Sequence, residues 1–387
     1  MSRHSQDSVS RHLRWVTLLL HLGFGLTGIG TVLLGCILPR LSATGHLRDQ
    51  GAGLFLLVQF AAAASGALLV RGSYWKALAC GYALTSLSAL SIVLLHSRVS
   101  LAAFGFYGLG LGVAMTSTSM LIGRLYPDRK GAALALLNFS WSVGSVICPL
   151  LVARYLPLAG STIAFAPVAL FAAPFALLPL LATERDFHAI KAMDAPLTKI
   201  DERKAIFYFA LLSFLYVGIE ATVGNWMTTY VTRTISWNFS LSSLAVSCFW
   251  GALLLGRATT PGILRIISEH RLYRVAVLAM IVGVCMILAA HGPGLLVAGS
   301  VFTGFALAPV FPLTLSLFME RVGESRNVGW VFATAGLGGA VLSWLTGAIS
   351  TESGSLRVGL TVPVVAALVM AAMIFGNRMD RSSRTAV

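Results

Sequence analysis

Long apolar runs recur along the chain, uninterrupted rather than alternating, with short polar breaks between them. A helix that crosses a bilayer needs about 20 mainly apolar residues. Twelve stretches meet that length: 15–38, 51–70, 77–96, 101–124, 131–153, 159–182, 204–231, 241–264, 273–291, 294–319, 327–350 and 355–376. The first follows a basic leader (Arg3, Arg11, Arg14), as a signal peptide would. Its apolar run is longer than a signal h-region of roughly 7–15 residues, and no small-residue cleavage site follows, so it reads as a span. The longest break, 183–203, is charged and divides the spans six and six. The pattern predicts an all-α membrane protein of twelve transmembrane helices in two six-helix bundles. Its expected parts are an N-terminal bundle over 1–182, a linker loop over 183–203 and a C-terminal bundle over 204–387.

Composition narrows the class. Hydrophobic residues make up 57% of the chain and charged residues 11%, against about 25% charged in soluble domains. That excludes a soluble enzyme, a disordered chain and a fibrous repeat, and makes the lipid bilayer the main solvent. The net charge of +14 follows the spans. With the N-terminus, the even-to-odd loops and the C-terminus on one side, 22 of the 28 Lys and Arg residues fall there, Arg257 among them, and six on the other. Cytoplasmic loops carry the basic excess. A multi-pass protein of the cell inner membrane with both termini cytoplasmic is therefore expected, and nucleic acid is not needed to explain the charge. Cys36, Cys80, Cys148, Cys248 and Cys285 lie in apolar stretches without paired spacing and read as small core residues. There is no Walker loop, dinucleotide fingerprint, nucleophile elbow or metal constellation. No metal, no cofactor and no enzymatic activity are expected.

Of the fourteen acidic residues, only Glu220 lies deep in a span. An ionised carboxylate there costs about 2.5–3.5 kcal/mol on insertion scales. Such a residue should face the bundle interior, where it can bind a proton, a substrate hydroxyl or both; the structural alternative is an interhelical hydrogen bond. Gln59, Asn138 and Asn225 are the other strongly polar side chains inside spans. Amides donate and accept, which suits a neutral polyhydroxylated ligand, although each alone also serves as interhelical glue. Trp15, Trp75, Trp237 and Trp330 lie near span ends, whereas Trp141, Trp226, Trp250 and Trp344 are deeper. Trp226 and Trp250 are candidate ring faces for a sugar, with core packing as the alternative. Trp226 is about 120° from Glu220 on an ideal helix, so the two share a cavity only if it is wide or the helix breaks near Gly224. Phe311, between Pro309 and Pro312, sits where span 10 should kink and is a gate candidate. His21 reads as a neutral, hydrogen-bonded side chain.

The two sets of spans echo each other. Val143-Gly144-Ser145 in span 5 answers Leu337-Gly338-Gly339 in span 11, and spans 4 and 10 both open with Gly-rich runs. Further signatures are Gly28-x6-Gly35-x2-Leu38-Pro39, Gly53-Leu54-Phe55 with Gln59-Phe60, and Leu137-Asn138-Phe139-Ser140-Trp141-Ser142-Val143-Gly144 with Pro149. Others are Tyr216-Val217-Gly218-Ile219-Glu220 with Gly224-Asn225-Trp226-x3-Tyr230, Phe249-Trp250-Gly251-x4-Gly256-Arg257, Pro309-Val310-Phe311-Pro312 and Gly336-Leu337-Gly338-Gly339-Ala340. On these residues the chain resembles the major facilitator superfamily over essentially its whole length. Within it, the chain is similar to the fucose–galactose–gluconate proton symporter branch and its sugar-permease relatives. The resemblance implies the major facilitator fold with pseudo-twofold halves. It further implies a secondary active transporter, expected to be monomeric, that moves a small polar solute, a sugar, by alternating access with a proton or another cation. A drug or metabolite exporter of the same fold, or an uncoupled sugar uniporter, are the alternatives. The family's acidic position after span 2 is Val70 here. The carboxylates that the fucose permease uses in spans 1 and 4 are also absent, with Thr116 to Ser119 in span 4. Proton coupling would then rest on Glu220. The expected substrate contacts are Gln59, Asn138, Glu220, Asn225, Trp226, Trp250 and Phe311.

Overall fold

The computed structural model describes residues 3–95, 101–127, 130–155, 161–181, 200–234, 237–322 and 328–376. Among them every regular element is helical. The first half holds α1 (Arg3–Thr44), α2 (Asp49–Leu69), α3 (Tyr74–Leu95), α4 (Leu101–Leu125), α5 (Lys130–Tyr155) and α6 (Ala166–Phe175). The second holds α7 (Ile200–Thr234), α8 (Phe239–Ile263), α9 (Glu269–Ala289), α10 (Pro293–Leu307), α11 (Val310–Val322), α12 (Val328–Ser353), α13 (Leu356–Gly359) and α14 (Thr361–Gly376). Taking α10 with α11 and α13 with α14, twelve segments are long and apolar enough to cross a membrane, one for each predicted run. Residues 183–199 of the expected linker lie outside the described residues, and its last four residues belong to α7.

Proline explains where the spans depart from one smooth helix. It lacks the backbone N–H that an interior turn requires. The predicted kink near Phe311 is a break: α10 stops at Leu307 and α11 starts at Val310, on either side of Pro309. Span 6 carries Pro167, Pro174 and Pro179, and is only ten residues of α-helix between 3-10 turns at Ser161–Phe165 and Leu178–Leu181.

The repeat read in the sequence is also a repeat of packing. Gly144 of α5 lies against the Gly25 carbonyl of α1, and Gly338 of α12 against the Phe214 carbonyl of α7. At both places the neighbouring backbone occupies the space a Cβ would need. Lipid offers no hydrophobic force to press helices together, so close backbone approach through small residues supplies much of the attraction.

Among the described residues the halves are joined chiefly by α2 on α12, α5 on α8 and α1 on α7. The two ends of this seam differ. Toward the α2 N-terminus, α7 is buried at every residue from Ala221 to Val231, and α1 at every residue from Val32 to Leu38. A methyl placed on Gly35 of α1 would come within 2.5 Å of Oδ1 of Asn225 on α7. Toward the opposite end the enclosure loosens. Arg14, Trp15 and Leu18 of α1, Arg203, Lys204 and Phe207 of α7, and Asn138 of α5 are all exposed.

Candidate functional site

Tyr216 and Glu220 are one turn apart on α7 and therefore share a face. Both are buried, Glu220 with 6% of its surface exposed. The Glu220 Oε1 accepts from the Arg257 guanidinium of α8 at 3.2 Å. The same Nη2 donates to the Tyr216 hydroxyl at 3.4 Å. The other terminal nitrogen, Nη1, donates to Ser142 Oγ of α5 at 2.8 Å. One guanidinium thus holds a carboxylate of the second half and a hydroxyl of the first. A lone charge at this depth is costly, and a buried pair is tolerated when further hydrogen bonds satisfy it.

Arg257 is the member of this cluster that the sequence reading assigns to a loop. It was counted among the cytoplasmic loop charges, whereas it lies inside α8, and its side chain is only 13% exposed. Removing it from that count takes 22 to 21 against six, so the asymmetry stands. The signal was present: Arg257 falls within the predicted span 241–264. An arginine in such a run needs a partner, and Glu220 was the only carboxylate at comparable depth.

Aromatic rings surround the pair. Trp250 lies two turns before Arg257 on α8, and its ring sits on Gly224 of α7, 2.6 Å from where a Cβ would stand. Its edge-to-face neighbour across the seam is Trp141 of α5, with ring centroids 5.7 Å apart at 80°. Phe311, at the start of α11, stacks on Tyr216 at 5.6 Å and 25°. The break at Pro309 therefore delivers Phe311 to the Glu220 face. The cluster comprises Tyr216, Glu220, Trp250, Arg257, Trp141, Ser142 and Phe311.

The other expected contacts lie elsewhere. Trp226 is fully buried and donates its indole N–H to the Ser343 carbonyl of α12 at 2.9 Å. Because α7 runs without a break past Gly224, the 120° offset carries this ring away from Glu220 and into the α7–α12 contact, where it packs. Asn138 is exposed, and its amide folds back onto the Leu134 carbonyl of its own helix at 3.0 Å. It sits one turn from Ser142 toward the looser end. Asn225 is buried against Gly35 at the α1–α7 crossing. Gln59 is buried, donates to the Thr31 carbonyl at 3.3 Å, and leaves its Oε1 without a partner. His21 pairs with Ser140 Oγ at 2.8 Å. Of the cysteines, Cys36 and Cys148 are core residues, but Cys80 and Cys285 are exposed on the outer helix faces. Among the described residues, no group of three His, Cys, Asp or Glu is placed to hold a metal.

The tight end has its own polar cluster. Asp49 is the first residue of α2 and is buried. Its Oδ2 accepts from Arg233 of α7 at 2.7 Å and from Ser350 Oγ of α12 at 2.6 Å. The Gln50 backbone N–H donates to Thr351 Oγ1 at 2.8 Å. Here α2 of the first half is fastened to two helices of the second.

Comparisons with known proteins agree with this architecture. Residues 20–327 match the family model described as Major Facilitator Superfamily, and the chain belongs to that superfamily. It is a multi-pass membrane protein. Among its relatives, the Glucose/mannose transporter GlcP of Bacillus subtilis (strain 168) is 25% identical over 171 residues, 43% of this chain and 42% of that protein. That match thus spans less than half of the relative's own length. The Glucose/galactose transporter of Brucella abortus biovar 1 (strain 9-941) is 22% identical over 392 residues, 94% of each chain. In three dimensions, the D-xylose-proton symporter superposes with a TM-score of 0.75 at 17% identity, over 92% of this chain and 96% of that one. This last likeness is one of fold.

Proposed function

We propose that the protein is a secondary active transporter that carries a small polar solute, a sugar, across the inner membrane together with a proton. The relatives named for glucose, mannose and galactose support the substrate class. The observation that carries the mechanism is the reach of Arg257, which grips Glu220 in one half and Ser142 in the other. The two bundles, 1–182 and 204–387, rock about this point, joined by the 183–203 linker on the cytoplasmic side with both termini. In this orientation the Asp49 end faces outward, where the close packing of α1 on α7 shuts the seam. A proton on Glu220 removes the charge that Arg257 neutralises. The guanidinium is then free to exchange its partners for substrate oxygens, and the seam loosens. One proton moving down about 100 mV supplies about 2.3 kcal/mol, enough to sustain a roughly 50-fold gradient. A monomer contains all the parts this cycle uses.

The test is uptake of radiolabelled glucose, galactose, mannose and xylose into proteoliposomes with and without an inward proton gradient. Accumulation of at least one sugar that collapses with a protonophore is the expected result. Uptake that only equilibrates and ignores pH would make the protein a uniporter. Efflux of lipophilic drugs without any sugar flux would make it an exporter.

A further inference from the structure

Three hydrogen-bond donors in the central cluster are buried and have no partner: Trp141 Nε1 on α5, Trp250 Nε1 on α8 and Arg257 Nε on α8. Their side chains are contiguous. The two indoles touch edge to face, and Arg257 holds Ser142, the residue after Trp141. A buried donor left unpaired is destabilising until an acceptor answers it. By contrast Trp226, in the α7–α12 packing, has its N–H satisfied. The Glu220 carboxylate, the only acidic side chain described in the cluster, is already engaged by the guanidinium. The unmet demand is therefore for acceptors, and it straddles the seam between the halves.

We propose that Trp141, Trp250 and Arg257 form a donor-rich recognition site for acceptor oxygens, so that the ligand is neutral or anionic and read mainly through its oxygen lone pairs. Cationic amphiphiles are rejected. Such a ligand brings no acceptor for three N–H groups and places its charge beside a guanidinium. A pyranose has an apolar face to lay on an indole and oxygens on its rim to accept the N–H bonds. Trp141, which was not among the expected contacts, becomes a specificity-determining residue equal to Trp250. The assignment of a sugar rests on the function proposed above; the demand for acceptors rests on the geometry alone.

The experiment is calorimetric titration of the purified full-length protein with D-glucose and its monodeoxy and monodeoxyfluoro series. Fluorine keeps an acceptor but has no proton to donate. At one or more ring positions the fluoro sugar should bind within about threefold of glucose while the deoxy sugar loses about tenfold or more. Trp250→Phe and Trp141→Phe should each weaken glucose about tenfold, and one of them should leave unchanged the deoxy sugar that lacks its partner oxygen. Fluoro sugars no better than deoxy sugars at every position, or unchanged glucose affinity in both variants, would overturn the donor assignment while leaving the sugar reading intact. If no aldohexose binds, the sugar reading fails by itself. Replacing Trp250 with β-(3-benzothienyl)alanine, an isostere without the N–H, then decides the donor assignment. A higher Tm of the ligand-free protein supports an unpaired donor, and an unchanged or lower Tm overturns it. Stabilisation by tetraphenylphosphonium would overturn both.

Discussion

Among the described residues two ion pairs stand at the seam, and their surroundings differ in kind. Asp49–Arg233 joins the halves directly at the tight end, with the arginine side chain 45% exposed and Ser350 adding a short bond. Glu220–Arg257 lies deep, with both side chains largely buried, and is ringed by aromatics and by donors that nothing answers. The first pair is a clasp whose partners are complete. The second is an incomplete arrangement that a proton and a ligand can both alter. In a low-dielectric site a change in protonation has large consequences, whereas a water-facing pair is worth roughly 0–1 kcal/mol. In the proposed cycle the chemistry belongs to the central pair, and the rim pair biases which end is closed.

The largest effect should come from Arg257→Met. It strands the Glu220 carboxylate, and breaking one side of a buried pair costs about 3–5 kcal/mol. The purified variant should melt well below the native protein and show no uptake. Glu220→Gln combined with Arg257→Met should restore most of the Tm but not accumulation. A single Arg257→Met variant as stable as the native protein would erase the contrast between the two pairs.

Asp49→Asn should act more gently. It keeps the shape and weakens the clasp by about 1 kcal/mol, a shift of roughly fivefold in the balance between states. Thr229 of α7 is fully buried at the shut end. A cysteine there, with the native cysteines replaced, should react several-fold faster with an impermeant maleimide once Asp49→Asn is added. An unchanged rate would mean that the helix packing at Gly35, not the clasp, keeps this end closed.

The smallest perturbation tests which way the comparison points across the membrane. Single cysteines at Ser100, Ser161 and Ser353 should label from outside in intact cells, and those at Ser5, Ser268 and Ser382 only after permeabilisation. Outside labelling at Ser268 would reverse the assignment of the shut end.

The sequence made the spans and their pairing legible because both rest on local signals, apolar length and the placement of small residues. Gly144 and Gly338 occupy corresponding places in the two runs and make corresponding contacts. Glu220 was legible because a carboxylate in a long apolar run has few bland explanations. What escaped depends on rotation about a helix axis and on meetings between distant helices. Trp226 and Trp250 look equally deep in sequence, but one ring points into α12 and the other into the seam. Asn138 shares the Ser142 face of α5, but its amide turns back onto the Leu134 carbonyl of its own helix. Arg257 lies seven residues before the end of its apolar run, close enough to a loop to read as a cytoplasmic charge.

The central claim is that Glu220 carries the proton, and counterflow beside accumulation tests it in one preparation. In proteoliposomes of the native protein, a proton gradient should drive sugar accumulation, and preloaded sugar should exchange. Glu220→Gln mimics the protonated form and cannot release a proton. It should exchange sugar at a rate within a few-fold of native, with no accumulation and no dependence on pH. Retained, pH-dependent accumulation in Glu220→Gln would contradict the account and send the proton elsewhere, with the His21–Ser140 pair the next place to look.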